Sequence, residues 1–265
     1  MNLSTRFVDI NYHFFRMNIN SDINILGSLF DFNLVLHFLE NKSSKNKIGS
    51  PNYTFTSIKT DKSVKRFEKA ITETLLNLNN PNQEFISGVL KVEKITKDTL
   101  LLLFWNASFN NELLNYLNTQ IYFLAFYSGR ISIKQDEVAA CLKDLKEREK
   151  ELKKWSDSTL QITASKYLTL LKKFNLMEGS LNKTILHPYL NDRMFILFVY
   201  WIKANETKSN LLESEWLKYS FCEKSVFLER VMQKKFAKYF QLNYTGDKLK
   251  IETTVSYENI YNAIN

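Results

Sequence analysis

Glycine and proline are scarce in this chain, with six Gly and three Pro among 265 residues. Sandwiches, barrels and doubly wound sheets need many tight turns and Gly-rich loops, so the scarcity disfavours them and shifts the expectation to helices. A hydrophobic content of 45% supplies core for one large domain or two ordinary ones, without disulfide or metal staples. The sequence therefore predicts a mainly α protein, a multi-helix bundle.

Helical periodicity supports this along most of the chain. Between Ile19 and Glu40 the residues Ile23, Leu26, Leu29, Phe30, Leu34, Leu36 and Leu39 mark the inner face of one helix or two short ones. Asn41 to Thr60, rich in Lys, Ser and Asn, reads as a loop. Asp61 or Ser63 can cap a helix running to about Leu78, whose outer side carries Lys62, Lys65, Arg66 and Lys69. Further helices are expected over Phe85 to Ile95, Thr99 to Phe104 and Asn110 to Tyr127, the last closed by Gly129. Ser132 opens another, whose mixed charge run Lys143 to Lys154 suits a solvated face with i,i+4 pairs. His187-Pro188 starts a helix to about Lys203 that is apolar nearly all round and hence buried.

The segment after Trp155 carries the most information. Ser156 and Ser158 both qualify as N-caps, and Leu160, Ala164, Tyr167, Leu168, Leu171 and Phe174 trace one apolar face. The opposite face, Gln161, Ser165, Lys166, Thr169, Lys172 and Lys173, carries no acid. After Phe174 come a Gly179-containing turn and Thr184-Ile185-Leu186, which suits a short strand. Helix, turn and β-wing is the order of a winged helix, in which the polar face meets the groove of a duplex. A second such unit is suggested by a basic helix over Glu223 to Phe240, with Val226, Phe227, Val231, Phe236, Tyr239 and Phe240 inward. Lys224, Arg230, Lys234, Lys235 and Lys238 lie mostly on its outer side, and the alternating strand Lys248 to Thr253 follows.

Lys and Arg exceed Asp and Glu by 36 to 28, a net charge of +8, which favours a polyanionic partner. Cys141 and Cys222 stand alone in apolar helical patterns and read as core thiols of a reducing cytoplasm. Met1 to Ile10 has no apolar run of the signal-peptide kind, and the apolar runs Leu100 to Trp105 and Met194 to Ile202 are too short to span a bilayer. No membrane association is expected. Catalytic patterns were not found: His13, His37 and His187 have no metal-ligand spacing, and phosphate-cradling or nucleophile-elbow glycines are missing. Asp9, Asp22, Asp31, Asp61 and Glu68 could converge only through the fold, so a nuclease is a minor alternative. The reading is of a non-enzymatic protein with no cofactor and no metal.

The run Glu151 to Thr159, with its Trp155-Ser156-Asp157-Ser158-Thr159 core, and the helix ending Leu170-Leu171-Lys172-Lys173-Phe174-Asn175-Leu176-Met177 resemble the BrxA family. Lys62-Ser63-Val64-Lys65-Arg66 resembles that family's basic helix, Leu101 to Tyr122 its central apolar helix pair, and Ile185-Leu186-His187-Pro188 its post-wing segment. The resemblance covers roughly residues 10 to 205. Where family members often carry Arg or Lys after the Ser-Thr pair, this chain has Leu160 and Gln161, which weakens direct base contact.

The resemblance implies an all-helical, partly NusB-like, DNA-binding component of BREX phage-exclusion systems, working alongside a methyltransferase and an ATPase. The expected layout of the chain is an N-terminal helical domain over 1–130, a winged-helix-like domain over 131–205 and a helical extension with a short hairpin over 206–265, onto which the resemblance carries nothing. Double-stranded DNA is then the expected nucleic-acid partner, with RNA as the alternative, and other BREX or phage-defence proteins are expected partners beside it. Lys166, Lys172 and Lys173 would contact phosphates, Gln161 and Ser165 would lie nearest base edges, and Lys65 with Arg66 would form a second patch. Lys234 and Lys235 belong to the suggested second unit. A protein-interaction adaptor is the runner-up.

Overall fold

The structure is a computed structural model describing residues 17–29, 32–43, 60–78, 80, 83–180 and 183–265. The N-terminal ten residues, Asp9, His13, Phe30, Asp31 and nearly all of the expected 41–60 loop lie outside the described residues. The protein is mainly helical, with two small antiparallel hairpins.

The chain begins with two short helices, α1 (Asp22–Leu26) and α2 (Asn33–Ser43), in place of one longer one. Helix α3 (Asp61–Ala70) is capped by Thr60, whose hydroxyl accepts from the Ser63 amide at 3.2 Å; neither Asp61 nor Ser63 holds that position. A π-helical turn, Ile71–Leu75, continues it. Helices α4 (Glu84–Glu93) and α5 (Lys97–Asn110) follow, α5 opening on a Thr96/Thr99 capping box earlier than periodicity alone indicates.

The expected single helix from Asn110 to Tyr127 is interrupted. Asn111 leaves helical geometry and caps α6 (Glu112–Leu117), then a π-helical turn spans Asn118–Tyr122 before α7 (Phe123–Tyr127). A buried polar network sits at this irregularity. Tyr167 Oη donates to Asn118 Oδ1 at 3.0 Å, Asn118 Nδ2 donates to Ser108 Oγ at 2.9 Å, and Tyr219 Oη donates to Asn115 Oδ1 at 2.8 Å. Each of these atoms gains a partner, the usual condition for taking a polar group out of water, whereas Tyr122 Oη, buried in the same turn, has none. Gly129, at φ +71°, closes α7 as the sequence suggests: Gly129 N donates to Phe126 O and Arg130 N to Ala125 O.

Two helices are apolar on all sides and form the centre. The runs Leu101 to Ala107 on α5 and Met194 to Ile202 on α10 (Asp192–Asn205) are buried throughout, and Trp105 meets Trp201 at 5.9 Å and Phe198 at 5.2 Å between ring centroids. Helix α10 starts at Asp192 with Asn191 as its cap. The start expected at His187-Pro188 is instead an extended segment reaching that cap.

Beyond Asn205 the chain keeps packing on the same centre. The 3-10 segment Glu215–Ser220 places Trp216 against Trp201 at 5.5 Å and Tyr219 against Phe104 at 5.4 Å. The expected helix over Glu223 to Phe240 ends early: α11 covers Lys224–Val231, a 3-10 turn Lys234–Phe236 follows, and Phe240 already belongs to β3 (Phe240–Tyr244), paired with β4 (Leu249–Thr253). Pairing decides this. Phe240, Leu249 and Ile251 alternate onto one buried face of the hairpin, so Phe240 is held by a strand register that helical spacing could not reveal, and Val226, expected inward, is exposed. Arg193 ties the end of the chain in place, pairing with Glu93 and, at 3.4 Å, with Asp98, and donating to Asn265 Oδ1 at 3.1 Å.

Candidate nucleic-acid interface

The interface candidate is built on α9 (Asp157–Lys173) and the hairpin that follows it. Ser156, and not Ser158, is the cap: its Oγ accepts from the Thr159 amide at 3.2 Å and lies 2.8 Å from Ser158 Oγ and 2.9 Å from Thr159 Oγ1. Asp157 occupies the first turn, where the helix dipole favours an acid. Lys146 Nζ donates to the Trp155 carbonyl at 2.6 Å. The Trp-Ser-Asp-Ser-Thr motif is thus the device that starts α9 and fixes it to α8 (Gln135–Arg148).

At the other end Asn175 takes φ +59° and closes the helix, with its own amide donating to Lys172 O and the Leu176 amide to Leu171 O, each at 3.0 Å. The chain then forms β1 (Met177–Glu178) and β2 (Thr184–Ile185). Ser132, expected to open a helix, bridges Thr184 instead, and α8 starts only at Gln135.

The polar face of α9 is largely covered. Helix α1 packs along it so closely that a Cβ built on Gly27 would lie 2.5 Å from the Lys166 carbonyl oxygen. Ser165, Lys166, Thr169 and Lys173 are half-buried as a result. Lys173 Nζ donates to the carbonyls of Gly27 at 3.0 Å, Leu26 at 3.5 Å and Leu29, the open end of α1. Burial and the nearby Lys166 charge push its ammonium down to about 8.

Gln161 is exposed but engaged: its side-chain and backbone oxygens accept from Gln135 Nε2 at 3.0 and 3.2 Å. It lines a shallow cleft between α8 and α9 together with Asp136, Lys143 and Asp157. The acid-free face seen in the sequence is therefore acid-flanked in space at its first turns.

Positive charge gathers at the far end of α9, about 16 Å along the helix from Gln161 at 1.5 Å per residue. Lys172 Nζ donates to the Gly179 carbonyl on the hairpin at 2.8 Å, and Lys183, from the opposite side of the hairpin, reaches Thr169 Oγ1 at 3.3 Å. Burial, and then the Lys172 charge, lower the Lys183 ammonium, as Lys166 does for Lys173. No carboxylate forms an ion pair with Lys166, Lys172, Lys173 or Lys183 among the described residues. Lys183 escaped the sequence reading, although it is the one basic residue between Gly179 and Thr184.

The other expected residues stand apart from this cluster. Lys65 and Arg66 are exposed on α3, on the same face as Lys62 and Lys69, and α1 packs on both α3 and α9. Lys235 pairs with Asp192 at 2.5 Å, Arg230 donates to the same carboxylate at 3.1 Å, and Lys234 is exposed beside them. Asp22, one of the scattered acids, is buried at the start of α1 and accepts from Thr74 Oγ1 at 2.9 Å.

Fold and site together define a mainly helical protein that presents a lysine-lined helix-and-hairpin surface; no described helix is long and apolar enough to cross a membrane. The BrxA family model matches residues 32–199, well over half of the chain, and the protein belongs to that family. This membership associates it with BREX phage defence. No curated protein and no solved structure matches the chain. The matched region ends within α10, so α11, the β3–β4 hairpin and α12 (Ile260–Ile264) lie beyond it.

Proposed function

We propose that the protein is a non-enzymatic, cytoplasmic DNA-binding component of a BREX-type phage-defence system, holding duplex through lysine contacts to phosphate. One observation carries this reading: Lys166, Lys172, Lys173 and Lys183 gather along the second half of α9 and its hairpin with no carboxylate paired to them among the described residues. A structural core does not gain from gathering like charges, and a polyanion offsets their repulsion. The net charge of +8 acts in the same direction at long range.

Fluorescence anisotropy with a labelled duplex tests it. Lys172→Glu with Lys183→Glu is expected to weaken binding at least tenfold, and these two are the informative sites because Lys173 also secures α1. Unchanged affinity in the double variant contradicts the proposal. Competition by structured RNA, if stronger than by duplex, would assign the same surface to RNA.

A second reading, a protein-interaction adaptor, draws on a different place. Tyr189 is 79% exposed and stacks on Arg230, whose guanidinium carbon lies 5.1 Å from the ring centroid, beside a cleft of 310 Å³. Aromatic and Arg side chains of this kind are enriched in protein interfaces. Co-purification of other defence components, lost on Tyr189→Ala and unaffected by the lysine variants, would favour it.

A further inference from the structure

Resting on the DNA-binding reading, we infer that α9 does not enter the groove, and that the last turn of α9 and the β1–β2 hairpin meet the duplex, which makes binding indifferent to base sequence. A recognition helix needs an open face and side chains free to reach base edges. Helix α9 is exposed only toward its two ends. Its middle is closed by α1, where Gly27 sits against the Lys166 backbone with no room for even a methyl group, and the hydrogen bonds of Lys173 hold that cover in place. Gln161, the one exposed amide on the helix, gives its oxygen to Gln135, and Asp136 and Asp157 beside it repel phosphates that would have to come close on either side of a groove.

What remains accessible is at the other end. Lys172 is exposed, Lys183 reaches from the hairpin to Thr169, and the half-buried Lys166 precedes Thr169 by one helical turn. An ammonium is a point charge with rotatable donors and fits phosphate well, whereas reading a base pair calls for paired contacts of the bidentate kind. Gly179 and Ser180, which follow β1, are exposed as well. Three lysines on phosphate set the scale of the salt dependence, a slope of about −2.7 in log K against log salt.

Dissociation constants for the full chain, measured at one low salt concentration with several duplexes of unrelated sequence and base composition, are expected to agree within about threefold. Lys172→Gln with Lys183→Gln should weaken all of them by a common factor. A photo-reactive side chain installed at Ser180 should capture the duplex, and one at Ile162, exposed on the first half of α9, should not. A preference above tenfold for one duplex, selective weakening by the lysine variant, or capture at Ile162 and not at Ser180 would overturn the inference while leaving DNA binding intact. Failure to bind any duplex would remove the DNA-binding reading and this inference with it.

Discussion

Burial and the neighbouring Lys166 push the Lys173 ammonium down to about 8, and the carbonyls at the end of α1 accept its protons. In the unfolded chain the same amine titrates near 10.5. Between these values the unfolded state binds more protons than the folded one, so Lys173 makes stability rise with pH through that window and adds no slope below it. Urea unfolding at pH 7 and pH 9.5 should therefore show the wild type gaining on Lys173→Met as pH rises; a difference that stays constant or shrinks would contradict the assigned environment. Ser156 gives a second test at this scale. Sequence alone left Ser156 and Ser158 equal as caps, because either can precede the apolar stripe. The geometry separates them, since only Ser156 accepts from the Thr159 amide. Ser156→Ala should cost about 1 kcal/mol of stability, in the usual range for a lost cap, and Ser158→Ala much less.

At the scale of elements, helices with a dense apolar stripe were legible in sequence: α9 lies nearly where periodicity puts it, α10 ends within two residues of its expected end though it starts later, and all six residues of the predicted apolar stripe of α9 are buried. What periodicity cannot register is a partner distant in sequence. The end of the expected Glu223–Phe240 helix became a strand because β4 pairs with it, and the polar face of α9 became an interface because α1, more than a hundred residues earlier, lies across it. The site was legible to the same extent: the lysines of α9 stand out in the sequence, but the burial of Lys173, the engagement of Gln161 and the contribution of Lys183 arise from packing. Gly27 is where the cover can be probed. Its backbone is right-handed, so alanine there is conformationally acceptable and the effect would come from contact with the Lys166 carbonyl. Gly27→Ala should destabilise by about 1–3 kcal/mol as an overpacked contact and speed proteolysis near α1. A variant as stable as wild type would mean that α1 does not sit against α9.

Over the whole molecule, the region matched by the family and the residues beyond it share one aromatic centre. Trp105 and Trp201 touch each other, Trp216 and Tyr219 close over Trp201, and Phe227 and Phe236 cover Phe195. Each of these large side chains contributes about 1.5–3 kcal/mol through burial. A chain ending at Asn205 would leave Phe195, Phe198 and Trp201 facing water, and it is expected to aggregate or to lose its near-ultraviolet circular dichroism; a soluble, cooperatively unfolding fragment would show the C-terminal part to be dispensable. The charges follow a different plan from the core. Asp192 pairs with both Arg230 and Lys235, and Glu93 and Asp98 pair with Arg193, whereas the lysines of α9 form no ion pair among the described residues, and the proposed function gives them phosphate as a partner. The most direct measurement of that claim is the salt dependence of duplex binding by the intact protein, followed by anisotropy from about 50 to 200 mM salt, the range over which counterion release is commonly read. The account predicts a linear fall of log K against log salt with a slope of about −2 to −3, reduced by about two in Lys172→Gln with Lys183→Gln. A slope near zero, or one that the double variant leaves unchanged, would contradict it.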